Sequence, residues 1–153
     1  MIETGKSAPD FTLPRTGGGT QTLSALRPRK VVLYFYPRDS TPGCTTEALD
    51  FTALADEFEA AGAVVLGVSR DPLSRHEKFR DKHGLKVMLL SDEDGRVCEA
   101  YGVWKEKTNY GRKYMGIVRT TFLIDGEGKV ARIWPNVRVK GHAEEVLEAV
   151  RAM

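Results

Sequence analysis

Two near-continuous apolar runs, residues 31–36 (Val-Val-Leu-Tyr-Phe-Tyr) and 63–69 (Ala-Val-Val-Leu-Gly-Val-Ser), constrain this chain more than any other feature. Both are rich in β-branched or aromatic residues, the pattern of a strand buried on both faces. Between them Pro37, Asp39, Ser40, Thr41, Pro42 and Gly43 form a turn cluster that no central strand could contain. After Gly43 the apolar residues take helical spacing: Ala48, Phe51, Leu54 or Ala55, Phe58 and Ala61. Strand, helix of about 18 residues and strand predict a βαβ unit whose strands run parallel, as neighbours or one strand apart.

The other segments fit around that unit. Phe11-Thr12-Leu13 and Gln21-Thr22-Leu23 alternate about the Gly17-Gly18-Gly19 turn, which predicts an N-terminal β-hairpin. Ser24 is placed to cap a one-turn helix before Pro28. Asp71-Pro72 opens an amphipathic, highly charged helix that Gly84 closes after His83. Val87 to Leu90 reads as a short strand, and Ser91-Asp92-Glu93 caps a helix carrying Val97, Cys98 and Tyr101. From Trp104 to Ile117 the chain is basic, contains glycine and reads as irregular. Residues 120–124 and 130–134 flank Asp125-Gly126-Glu127-Gly128, a hairpin signal. A final helix is predicted over residues 142–153, with Val146, Leu147 and Val150 on its apolar face. With no repeats or linkers, residues 1–153 are expected to form one α/β domain that joins a parallel unit to an antiparallel hairpin.

Bulk properties exclude several classes. A chain of 153 residues can bury roughly 70% of its unfolded surface. A net charge of +2 gives no argument for nucleic-acid binding, and the cluster Arg27-Pro28-Arg29-Lys30 reads as a solvated turn. No basic segment leads into an apolar run at the start, so no signal peptide is expected, and no run approaches the ~20 residues of a membrane span. Two cysteines in such a chain do not make a disulfide scaffold. A reducing, cytoplasmic setting with at least one reactive thiol is expected.

Cys44 sits where the turn cluster becomes helix. The first helical turn has unpaired N–H groups and the positive end of the dipole, both of which favour a thiolate. Gly43 leaves room for a small substrate beside those N–H groups, the Thr41 hydroxyl can donate to a thiolate or a bound oxygen, and Pro37 and Pro42 stiffen the loop. A buried packing role is the alternative, since free cysteine is among the most buried residue types. A Cys–His hydrolase would need one of His76, His83 or His142, and each reads as a surface or capping residue. Cys44 and Cys98 stand alone, without a ligand pair at metal spacing, and Cys44 is followed by Thr45-Thr46-Glu47 rather than Cys-x-x-Cys. No metal or cofactor is expected. A thiolate attacking a small oxidant needs a cation and oxyanion donors.

The segment Tyr36-Pro37-x-x-x-Thr41-Pro42-Gly43-Cys44-Thr45 resembles the active-site segment of the peroxiredoxins, in their bacterioferritin comigratory protein or peroxiredoxin Q group. Supporting matches include Ala8-Pro9-Asp10-Phe11, Leu66-Gly67-Val68-Ser69, Leu90-Ser91-Asp92, Tyr110-Gly111, the run Arg119 to Asp125 and Gly141-His142. The resemblance implies a thioredoxin-like fold, a central mixed sheet flanked by helices, and thiol-dependent reduction of hydrogen peroxide and organic hydroperoxides. It makes Cys44 the peroxidatic cysteine, Thr41 the hydroxyl donor, Pro37 the shielding proline and Arg119 the distant arginine that holds thiolate and peroxide. Read alone, Arg119 is a charge at a strand start. Glu47 matches a glutamate common in the group and could orient Arg119.

The chain departs from its group at the resolving cysteine. Many members carry one five residues after the peroxidatic position, where this chain has Leu49, and another subset carries it in the helix over residues 72–83, where Arg80 stands nearby. That leaves Cys98, which reads as a packing residue more readily than as a resolving thiol. Regeneration by an external thiol (thioredoxin, glutaredoxin or a small thiol) is therefore expected, with a disulfide between the Cys44 residues of two chains as another route. The other readings are an atypical two-cysteine enzyme resolving through Cys98 and a thioredoxin-fold redox sensor with little turnover. A monomer is expected rather than a dimer.

Overall fold

The computed structural model describes residues 2–153. The predicted N-terminal hairpin is present as β1 (Thr12–Pro14) and β2 (Thr20–Thr22), paired antiparallel, with a 3-10 turn at Ser24–Leu26. The central strand β3 runs Lys30–Phe35 and leads into α1 (Pro42–Ala53), α2 (Ala55–Ala60) and β4 (Ala63–Ser69). Then come α3 (Leu73–His83), β5 (Met88–Ser91) and α4 (Arg96–Ala100). The remaining elements are β6 (Trp104–Asn109), β7 (Arg112–Ile117), β8 (Thr120–Ile124), β9 (Val130–Trp134) and α5 (His142–Arg151).

The main sheet has five strands in the order β5-β4-β3-β8-β9. β3 and β4 run parallel as direct neighbours, as their two apolar runs predicted; β5 is also parallel, and β8 and β9 run antiparallel to their neighbours. The pleat of β3 divides the core in two. Val32 and Tyr34 face a layer with Phe51 and Phe58 of the α1–α2 segment and Val146 and Val150 of α5. Val31, Leu33 and Phe35 face the opposite layer with Cys98, Tyr101 and Phe122. Each fully buried Leu, Val or Phe in these layers contributes on the order of 1.5–3 kcal/mol. Tyr34 lies opposite Gly67 in the β3–β4 register, and a Cβ at Gly67 would stand 2.7 Å from the tyrosine ring, so glycine makes room for the aromatic layer.

Several sequence expectations are corrected. The helix expected after Gly43 begins at Pro42, at a position where the missing proline N–H costs nothing. It does not continue unbroken, because Leu54 takes φ −102° and ψ 7° between α1 and α2. No proline or glycine marks that break. Residues 104–117, read as irregular, form the antiparallel ribbon β6–β7, turned by Tyr110 and Gly111 at φ 53° and 76°. His76 and His142, read as surface or capping residues, are both buried, at 0% and 6% exposure. The N-cap of α4 is Gly95, not a residue of Ser91-Asp92-Glu93, but Asp92 reaches the helix start from upstream and accepts the Val97 and Cys98 backbone N–H groups at 3.2 and 2.7 Å. No helix among the described residues is long and apolar enough to cross a membrane.

Candidate active site

The parallel unit delivers Cys44 to the C-terminal end of β3. Because the first helical residue is a proline and the first backbone bond runs from Thr45 N–H to the Thr41 carbonyl (2.9 Å), the helix leaves the Gly43 and Cys44 N–H groups unused. Cys44 is 1% exposed. Arg119 reaches it through the sheet. Phe35 of β3 pairs with Thr120 of β8, which sets the preceding residue, Arg119, beside the loop that leaves β3. Its Nη2 donates to Cys44 Sγ at 3.4 Å, and its Nη1 donates to Glu47 Oε1 at 2.6 Å. A Cβ at Gly43 would stand 3.2 Å from Arg119 Nη2, so glycine there lets the guanidinium approach the helix start.

The electrostatics follow from burial. Glu47, one turn beyond Cys44, is 1% exposed, and that burial pushes its carboxyl up to about 7 against the opposing pull of Arg119. Its Oε2 has no hydrogen-bond partner among the described residues, and neither does the buried Tyr34 hydroxyl. Burial opposes the Arg119 charge, but Glu47 and Cys44 together outweigh it and hold the guanidinium above its ordinary value. The Lys107 ammonium on the β6–β7 ribbon donates to the Ile117 carbonyl at 2.9 Å; burial first, then the nearby Arg119, lowers its pKa. Sequence reasoning missed Lys107, because it lies in a charged segment with no apolar alternation.

Pro37 is half-buried at the start of the loop. The Thr41 hydroxyl donates to the Arg38 carbonyl at 3.0 Å, so a donor role towards sulfur or peroxide requires it to leave that carbonyl. A cleft of about 560 Å³ opens alongside Pro37 and Thr41, walled by Trp104, Lys107, Tyr114 and Met115. Beneath the loop, Asp39 bonds to the Tyr36 hydroxyl and the His76 ring, both at 2.6 Å. Asp39, Asp71 and His76 bring three possible metal donors within 4.8 Å of one another. The Asp39 oxygens, His76 Nδ1 and Asp71 Oδ2 are already bonded within the protein, so the cluster is a hydrogen-bonded network.

Cys98 is fully buried in the layer on the other side of the main sheet from Cys44. Burial, reinforced by the adjacent Asp92, pushes its thiol far above the ordinary range. A Cys44–Cys98 disulfide needs α-carbons about 4.4–6.8 Å apart, and the sheet stands between the two thiols.

Residues 4–133 match the AhpC/TSA family, and the chain belongs to it. Its relatives place it in the branch named Bcp or peroxiredoxin Q. Peroxiredoxin Bcp of Bacillus subtilis is 47% identical over 152 residues, 99% of this chain and 97% of that protein. The structure of the bacterioferritin comigratory protein of Xanthomonas campestris superposes with a TM-score of 0.91 at 47% identity, covering 98% of each chain. A mutant of the Xylella fastidiosa protein PrxQ superposes with a TM-score of 0.94 at 42% identity, covering 99% of this chain and 97% of that one. The fold is thus thioredoxin-like, with β1–β2 and β6–β7 as separate two-stranded ribbons beside the sheet of five strands.

Proposed function

We propose that this chain is a thiol peroxidase that reduces hydrogen peroxide and organic hydroperoxides through Cys44. The observation that carries the reading is the Cys44 sulfur at the first turn of α1 with the Arg119 guanidinium 3.4 Å away, itself held by Glu47. The Cys44 thiolate attacks one peroxide oxygen as the O–O bond breaks, and the displaced alkoxide or hydroxide leaves as an alcohol or water after taking up a proton. Arg119 and the Gly43 and Cys44 N–H groups stabilise the charge that moves onto the leaving oxygen. Thr41 directs the peroxide from the loop, Pro37 shields the sulfur, and Glu47 orients Arg119. Cys44 is left as a sulfenic acid.

An external thiolate then attacks the Cys44 sulfur, forming a mixed disulfide and releasing water, and a second thiol frees Cys44. The position of Cys98 beyond the sheet supports this one-cysteine route, with thioredoxin, glutaredoxin or a small thiol as donor. The need for a thiol donor fits a reducing, cytoplasmic setting. The alkyl peroxide reduction activity of the Xanthomonas campestris protein supports the substrate class.

Peroxide consumption coupled to thioredoxin, thioredoxin reductase and NADPH tests the reading. Many turnovers per Cys44 are expected. One equivalent consumed, then arrest with each donor in turn, would instead assign the chain to redox sensing.

A further inference from the structure

The loop between β3 and α1 is fastened from beneath by a side chain that sequence reasoning put on the surface. His76 has no exposed surface and both its ring nitrogens face acceptors. Nε2 lies 2.9 Å from the Leu90 carbonyl oxygen, which can only accept, so Nε2 carries a hydrogen. Nδ1 lies 2.6 Å from Asp39 Oδ2, and one proton is held on that short contact. The other Asp39 oxygen accepts the Tyr36 hydroxyl at 2.6 Å. The Asp39 backbone N–H donates at 2.9 Å to Asp71 Oδ2, which also accepts the Ser69 hydroxyl at 2.6 Å. Asp39 is thus fixed at three points, to β3's end, to α3 and to the turn after β4.

What is fixed lies within the loop that sets the site. Ser40, the next residue, stands at φ 67°, a left-handed conformation that costs a residue with a side chain on the order of 1 kcal/mol. Thr41 then returns to extended backbone and accepts the Thr45 N–H and hydroxyl at 2.9 and 2.8 Å, which sets the first turn of α1 and therefore Cys44. A loop that keeps such a kink needs something to hold it, and the anchor next to the kink is Asp39.

We propose that His76 is a positioning residue for the peroxide reaction: through its buried bond to Asp39 it holds the residue 37–41 loop so that Thr41 and the α1 N-terminus meet the peroxide in register with Cys44. The inference rests on Cys44 being the peroxide-reacting thiol. His76 touches neither sulfur nor substrate. It acts by keeping the geometry in which a displacement of about 1 Å can cost ~100-fold in rate.

The test separates geometry from thiolate supply. Each variant is checked for folding by circular dichroism, then its Cys44 is reacted with hydrogen peroxide and, separately, with iodoacetamide, which needs a thiolate but no aligned oxyanion donors. His76→Gln can bond to Leu90 or to Asp39 but not to both, and Asp39→Asn keeps the side-chain size. In either folded variant the peroxide rate is expected to fall between about 10- and 100-fold, with alkylation at the parent rate. The double variant Thr41→Val/His76→Gln is expected to be no slower than the slower single variant, because both act through one loop. A folded variant with the parent peroxide rate overturns the proposal, as does an equal fall in both reactions. Failure of both variants to fold would also overturn it, assigning the pair to stability. If the parent protein itself does not oxidise at Cys44, the peroxidase reading fails instead.

Discussion

Replacing Arg119 with methionine keeps an unbranched apolar stem, shorter than the arginine, and removes both of its bonds. Two losses follow, and they are separable. Towards the reaction, the sulfur loses the donor at 3.4 Å, together with the cation beside the leaving oxygen. Loss of one positioned oxyanion donor costs about 3 kcal/mol, which at about 1.4 kcal/mol per decade is on the order of a hundredfold in rate. Towards stability, Glu47 loses its 2.6 Å partner while 1% exposed, leaving two unpaired oxygens in the core. It then holds a proton rather than a charge, and the unpaired group costs about 1–3 kcal/mol. The double variant Arg119→Met/Glu47→Met replaces the pair by apolar groups of similar size and is expected to recover most of the stability but none of the rate. Stopped-flow oxidation by hydrogen peroxide reads the first loss, and urea denaturation the second. An Arg119→Met protein that reacts at the parent rate would rule out this role for Arg119, as would a double variant that regains it.

Other consequences follow from the same contacts. Cys98→Ser should turn over with an external thiol as the parent does, losing at most about 1–3 kcal/mol of stability, read by denaturation, because the buried hydroxyl lies beside the Asp92 carboxylate, which can accept from it; a loss of turnover would make Cys98 the resolving thiol. Glu47 holds its proton in the folded chain up to about 7 but only to about 4.5 when unfolded, so its contribution to stability is full below 4.5 and is lost as the pH rises to 7. That change is about 3 kcal/mol. Glu47→Gln removes it, and urea melts of both proteins from pH 4.5 to 8 check it; parallel slopes would contradict the buried carboxyl. Gly67→Ala puts a methyl 2.7 Å from the Tyr34 ring and should lower the urea midpoint by an amount equivalent to about 1–3 kcal/mol. An unchanged midpoint would mean the ring has room to move.

The parallel core was legible because β3 and β4 are buried on both faces, leaving unbroken apolar runs bounded by turn residues. The ribbon β6–β7 was not, since eight of its twelve residues are exposed and their side chains carry no apolar alternation. Cys44 could be picked out locally from its place at a helix start. Arg119 could not, because its approach to Cys44, 75 residues earlier, depends on the pairing of β8 with β3, and the family resemblance alone supplied it. His76 was hidden by its neighbours. Arg75, Glu77 and Lys78 make α3 look solvated, while the buried positions are His76 and Phe79, and the partner that lets a histidine lie there, Asp39, comes from a loop far back in the chain. Polar groups buried through long-range pairing leave no periodic trace.

In the proposed mechanism Cys44 alone meets the peroxide, and its partner thiol comes from outside the chain. Mass spectrometry of the reduced protein after one equivalent of hydrogen peroxide, with and without a sulfenic-acid trap, tests it directly. The trap adduct is expected on Cys44, with Cys98 unmodified and no disulfide within the chain. An adduct on Cys98, or a Cys44–Cys98 disulfide, would contradict it.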